Sequence, residues 1–109
     1  KAPFRVVLVH MPPKPSEQWH GPDAMYQKWR PVLNKSTIDL MVCGHTHRYT
    51  VEMPEKGVRH YPRMIGGGPK AGEATLIRIE ATADKLDVTM TRDDGHVVGT
   101  CHIENRRKP

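Results

Sequence analysis

The sequence predicts an α/β fold, and three observations carry that prediction. Two short apolar runs, 4–9 and 38–43, flank a stretch with helical spacing. Three later runs, 74–81, 86–91 and 97–103, alternate apolar and polar side chains around tight turns. Nowhere does an apolar stretch approach the roughly 20 residues that a membrane-spanning helix needs. A βαβ unit followed by a β-meander satisfies all three observations.

Arg5-Val6-Val7-Leu8-Val9 is nearly continuous in β-branched and apolar residues, the pattern of a strand buried on both faces. Pro12, Pro13 and Pro15 then forbid regular pairing and hold the chain extended. The loop runs on through Trp19, His20, Gly21 and Pro22. Asp23 is a suitable N-cap, and Met25, Trp29 and Val32/Leu33 recur at helical spacing behind it. Pro31 is expected to kink that helix or split it. After Asn34-Lys35-Ser36, residues 38–43 read as a second buried strand. A strand, helix and strand this close together form a right-handed crossover with parallel strands.

Beyond Gly44 the texture changes. Residues 49–53 and 58–65 read as short strands around Pro54-Glu55-Lys56-Gly57. Gly66-Gly67-Gly68-Pro69 is a flexible loop whose backbone could approach another element closely. The meander follows, with turns at Ala83-Asp84-Lys85 and Asp93-Asp94-Gly95, the second a hairpin signal.

Composition bounds the rest. A chain of 109 residues with 37% apolar content and six aromatic residues fits one small domain or a piece of a larger one. A strand-like run begins almost at once, with no start methionine or targeting segment before it. The chain is therefore expected to be part of a longer one, with some apolar surface facing missing sequence. An exposed cut edge of that kind predicts self-association through sheet edges or swapped elements. The net charge of +5 suits anionic ligands, but the basic residues are scattered. Their tightest cluster, Arg106-Arg107-Lys108, reads as a solvated basic tail, frayed from Asn105. Residues 1–105 are thus assigned to one domain portion and 106–109 to a tail. Aromatic side chains do not interleave with basic ones along the strands, so no nucleic-acid partner is expected. Cys43 and Cys101 lie in apolar runs and read as buried free thiols, with a disulfide open if the strands lie close.

The chemistry lies in the histidines. His10 follows the first strand, and His45 and His47 follow the second within Gly44-His45-Thr46-His47. Parallel strands would gather all three imidazoles at the sheet edge where open α/β folds bind ligands. Neutral imidazole is a common metal ligand. In a non-helical loop the two histidines of an H-x-H pair can point different ways, one toward each of two ions. Gly44 would let the backbone turn sharply before the pair. Any one of these could be an ordinary loop histidine, but independent placement does not put three at the same end of consecutive strands. A structural zinc site using Cys43 is a rival, weakened because no second cysteine lies nearby. A second rival is a small basic binding module for nucleic acid or a protein partner.

His10-Met11-Pro12-Pro13 followed some 34 residues later by Gly44-His45-Thr46-His47 resembles the last two motifs of calcineurin-like metallophosphoesterases, most closely the purple acid phosphatase branch. The resemblance is strong over 5–51 and looser beyond. It implies the C-terminal half of an αββα sandwich with a dinuclear metal centre that hydrolyses phosphate esters. The ions implied are two divalent or trivalent cations of the iron, manganese or zinc type. They would clamp the phosphate and lower the pKa of a bound water. His10 and His45 would bind one ion and His47 the other. His20 stands at the spacing of a substrate-facing histidine that can protonate the leaving group. Tyr49 reads as site wall or, more readily, core.

The departures matter as much. The family's earlier D-x-H, G-D-x-x-D and G-N-H-(D/E) motifs are absent. Asp94-Gly95-His96 spells D-x-H, but in the wrong order and in a turn. Three histidines without a carboxylate cannot build a bridged pair of ions. The piece alone is expected to be inactive, and whether it holds any ion is left open. Members of that branch are often exported, but this stretch does not identify its compartment.

Overall fold

The computed structural model describes residues 2–13 and 24–107. In chain order the elements are β1 (Val6–Leu8), α1 (Ala24–Lys35), β2 (Leu40–Cys43), β3 (Thr50–Glu52), β4 (Arg63–Ile65), β5 (Thr75–Ala81), β6 (Lys85–Arg92) and β7 (Val97–Glu104). They form two sheets, β1-β2-β4-β3 and β5-β6-β7. The α/β class therefore holds, with strands predominating.

β1 and β2 pair in parallel, Val6 opposite Leu40 and Leu8 opposite Val42. This is the arrangement that strand, helix and strand predicted. β4 also runs parallel to β2, and β3 returns antiparallel against it. The C-terminal ends of β1, β2 and β4 thus share one edge of the sheet. The meander is regular, with β5, β6 and β7 antiparallel in turn and one register shift at Met90/Thr91.

Alternation along the strands divides the apolar side chains into two layers. Leu40 and Met64 face the second sheet and pack with Leu86, Val88, Met90, Cys101 and Ile103. Their neighbours Met41, Cys43 and Ile65 point the other way, toward Leu33, Ile38 and Tyr61. β2 contributes to both layers, as its continuous apolar run requires. β1 departs from expectation: Val6 is 37% and Leu8 71% exposed. It is the outer strand of its sheet, and the face that Val6 and Leu8 share stays partly open, most of all at Leu8. Val7 and Val9, on the opposite face, pack against one core cluster, and Phe4, just before the strand, packs against the other.

The helix is continuous through Pro31 rather than split. Proline cannot donate to the carbonyl four residues earlier, but the flanking turns carry the helix past it. Leu33 is buried, whereas Trp29 and Val32 remain exposed. The proposed N-cap Asp23, and with it Pro15, Trp19 and His20, lies outside the described residues.

Two buried charged side chains, each ion-paired, tie segments that the sequence leaves far apart. Arg63, 1% exposed, donates Nε to Glu52 Oε1 at 2.7 Å and Nη1 to the carbonyl of Pro13 at 2.5 Å. Pairing of this kind is what makes a buried guanidinium tolerable. Asp39, also 1% exposed, receives the backbone N–H of Arg5 at 2.8 Å, Arg106 Nη2 at 3.3 Å and Arg107 Nη1 at 2.7 Å. Arg107 also donates to the carbonyls of Pro3 and Thr37. Asn105 is held by the Asp84 carbonyl through its backbone N–H and by the Ala83 carbonyl through its side chain. Residues 105–107 are therefore anchored, not frayed. A buried carboxylate, which the sequence does not reveal, gives the two arginines a partner.

Candidate metal centre

The histidines stand where the strands end. The ladder extends past β1 and β2 through the Val9 N–H to the Val42 carbonyl at 3.1 Å and the Gly44 N–H to the His10 carbonyl at 2.9 Å. A further bond, Gly66 N–H to the Cys43 carbonyl at 2.9 Å, brings the glycine loop after β4 to the same edge. Three loops thus converge: His10, Gly44 to His47, and Gly66 to Gly68.

Within the second loop the backbone reverses at the histidines themselves. His45 has φ 75° and His47 φ 63°, left-handed values uncommon for residues with a Cβ. Gly44 has no positive φ, and the sharp turn falls at the pair itself. A Cβ on Gly44 would meet His10 at ordinary van der Waals distance. Thr46 stabilises the turn: its N–H donates to the Gly44 carbonyl at 2.9 Å, and its hydroxyl accepts the Arg48 N–H at 3.3 Å. Left-handed residues of this kind cost about 1–3 kcal/mol each and persist where surrounding contacts over-determine them.

The structure brings His10 and His45 together. His45 Nδ1 and His10 Nε2 are 3.2 Å apart, and the rings meet edge to face with centroids 5.1 Å apart. One ring nitrogen donates a hydrogen bond to the other. The same spacing fits an ion between them, since two nitrogens each about 2.05 Å from one tetrahedral ion lie roughly 3.3 Å apart. Both residues are exposed. His47 is exposed as well, but it does not complete a cluster. Among the described residues, no group of three or more histidine, cysteine, aspartate or glutamate side chains could hold an ion. His20, the expected proton donor, lies outside the described residues.

His47 packs against the glycine loop. A Cβ on Gly68 would fall 2.9 Å from His47 Cβ on one side and 2.9 Å from Glu73 Oε2 on the other. A Cβ on Gly67 would collide with the Glu73 carbonyl oxygen at 1.8 Å, and the Gly67 N–H donates to Thr75 Oγ1 at 2.9 Å. The loop is pinned by close approach, and this explains its run of glycines. It also brings a carboxylate, Glu73, near His47. Nothing in the local sequence marks Glu73; only the run Gly66-Gly67-Gly68 hinted that a close contact occurs here.

Other residues considered from sequence fall outside the centre. Tyr49 packs against the inter-sheet core, and its hydroxyl lies 3.4 Å from Arg92 Nη1. Asp94 caps its turn by accepting the His96 N–H at 3.0 Å, and Gly95 takes φ 92°. Hydrogen bonds from Arg92, then from the His96 backbone, hold the Asp94 carboxyl well below the usual carboxylate range. The D-x-H spelling is therefore turn chemistry. Cys43 and Cys101 are buried free thiols. Burial pushes the Cys43 thiol up to about 12, the wrong direction for a thiolate ligand.

Comparison with known families agrees with this edge. The family model described as calcineurin-like phosphoesterase matches residues 1–49. That stretch runs from before β1 to just before β3 and contains all three histidines. Over this stretch, somewhat under half of its length, the chain is similar to that family. No curated protein matches the chain. Among the described residues, no helix is long and apolar enough to cross a membrane.

Proposed function

We propose that this chain supplies the C-terminal metal ligands of a dinuclear phosphoesterase of the purple acid phosphatase type. The observation that carries the reading is the 3.2 Å approach of His45 Nδ1 to His10 Nε2 across two parallel strand ends. In this reading His10 and His45 hold one ion and His47 holds the second. The separate position of His47, against Gly68, supports that division. The ions, when bound, supply charge stabilisation for a phosphate ester and a more acidic water.

The chain's own residues supply geometry. The Gly44 to His10 backbone bond sets the spacing of the two ligand loops, and the loop sets His45 against His10 and His47 against Gly68. Arg63 holds the Pro13 carbonyl and so anchors the segment that leads from His10 toward His20. We assign His20 as the group that protonates the leaving oxygen. The carboxylate and asparagine ligands that complete such a centre belong to motifs this sequence lacks, so the chain alone is expected to be inactive.

The test uses a longer protein carrying this chain behind D-x-H, G-D-x-x-D and G-N-H motifs. His45→Ala and His47→Ala are expected to lower turnover of an aryl phosphate by about 100-fold or more, since each removes a ligand that fixes an ion. Near-wild-type turnover in both variants, with metal content unchanged, would contradict the assignment.

A further inference from the structure

The pole opposite the histidines, where β1 and β2 begin, holds a cleft of about 440 Å³. Lys35, at the end of α1, lines it together with His60, Arg106 and Arg107, above the single carboxylate of Asp39. The fold thus concentrates basic groups that are far apart in sequence. Three permanent cations face one acid, and that acid is already engaged. The C-terminal carbonyls of α1 add a partial negative charge of roughly half a unit, too little to reverse the balance. Glu104 lines an adjoining cleft that shares His60 and Arg106; its carboxylate is engaged by His102 at 2.5 Å.

The donors differ in availability. Arg107 is committed to Asp39, Pro3 and Thr37. Arg106 gives one N–H to Asp39, and its side chain is 59% exposed. None of its other N–H groups has a protein acceptor among the described residues. Lys35 has no carboxylate within ion-pairing distance among them either. His60 meets Tyr61 edge to face with ring centroids 5.0 Å apart and is exposed at the cleft.

We infer that this cleft binds a phosphate monoester dianion. A guanidinium fork and an ammonium approaching from separate elements suit a tetrahedral oxyanion, with Arg106 supplying paired donors and Lys35 a point charge. The volume leaves room for an organic group up to about the size of a mononucleotide. Such a ligand would bridge the end of α1, the loop before β4 and the C-terminal residues. It would therefore stabilise the fold by mass action. This site is separate from the histidine edge and does not depend on its assignment.

An isotope-labelled sample of the chain, titrated at constant ionic strength with inorganic phosphate and then adenosine 5′-monophosphate, tests the inference. Saturable shifts are expected at Lys35, Ser36, His60 and Arg106, and potassium chloride should produce none. Arg106→Gln should weaken affinity about tenfold or more. Lys35→Gln, an exposed change that disturbs no packing, should weaken it by about threefold to tenfold. Shifts that fail to saturate by roughly 20 mM, or affinity unchanged in both variants, would overturn it. So would a short oligonucleotide that binds far more tightly than the mononucleotide with a steep salt dependence, because that would assign the pole to a nucleic-acid backbone.

Discussion

At the residue scale the centre depends on conformations that only local contacts can hold. His45 and His47 sit in the left-handed region, and His47 lies against a glycine that has no room for a side chain. Gly68→Ala is expected to cost about 1–3 kcal/mol by overpacking and to move the ring resonances of His47. Gly57→Ala provides the comparison. Gly57 has φ 81° with nothing within 4 Å of a Cβ, so its cost of about 1 kcal/mol is purely conformational and should leave the histidine signals in place. Urea midpoints and imidazole spectra of both variants check this. The histidines were legible in sequence because strand ends place loop residues predictably. Their left-handed backbone was not, since it comes from Thr46 and from contacts with a loop some twenty residues away. Glu73 carries no local signal for the same reason.

At the scale of elements, β6 and β7 carry a cross-strand cluster on their exposed face. His102 Nδ1 lies 2.6 Å from Asp87 Oδ1, its partner in register, and Nε2 lies 2.5 Å from Glu104 Oε2. Lys85 also pairs with Asp87 at 3.4 Å. On β5, Glu80 stands opposite Asp87 and Arg78 pairs with Glu80. Hydrogen bonds to Asp87 and then Glu104 raise the His102 imidazole above its ordinary value. The bond from His102 lowers Asp87. The signs follow from linkage. The raised histidine contributes stability below its unfolded value of about 6.5, lost as pH rises through the folded value. The lowered aspartate contributes above about 3.9, lost as pH falls through its folded value. The clamp is therefore complete in weakly acidic solution. A proton titration of the His102 ring should give a midpoint above 6.5, and Asp87→Asn should lower it; an unchanged midpoint in that variant would remove the pairing. The meander itself was readable from its alternation and turns. The two-sided burial expected of β1 was not realised, because an apolar run does not reveal whether a strand will have neighbours.

At the scale of the whole molecule, Asp39 joins the first strand, the second strand and the C-terminal residues. Burial pushes its carboxyl upward, but hydrogen bonds from Arg107, the Arg5 backbone and Arg106 more than offset this and leave it below its ordinary value. That stability is present above the ordinary carboxylate value and is lost as pH falls through the lowered one. Asp39→Asn strands two arginines and should cost roughly 3 kcal/mol, read as a lower thermal midpoint at neutral pH. The difference from wild type should narrow in strong acid, where the wild-type carboxyl is protonated. A difference that stays constant with pH would assign the loss to packing instead. The sequence showed a basic end and an isolated aspartate 67 residues earlier, and only the packed sheets bring them together. The βαβ unit was readable because its signals are local; the chain's closure was not, because it rests on long-range bonds from Arg106 and Arg107 to Asp39, Pro3 and Thr37.

Whether His10 and His45 share a metal ion can be read by following imidazole resonances as manganese is added to this chain. Broadening is expected first at His10 and His45, with His96 and His102 unaffected at the same concentration. His10→Ala should abolish the effect at His45, and His45→Ala should abolish it at His10. Broadening that begins at His102, or that survives at His45 without His10, would contradict a shared ion at the strand ends.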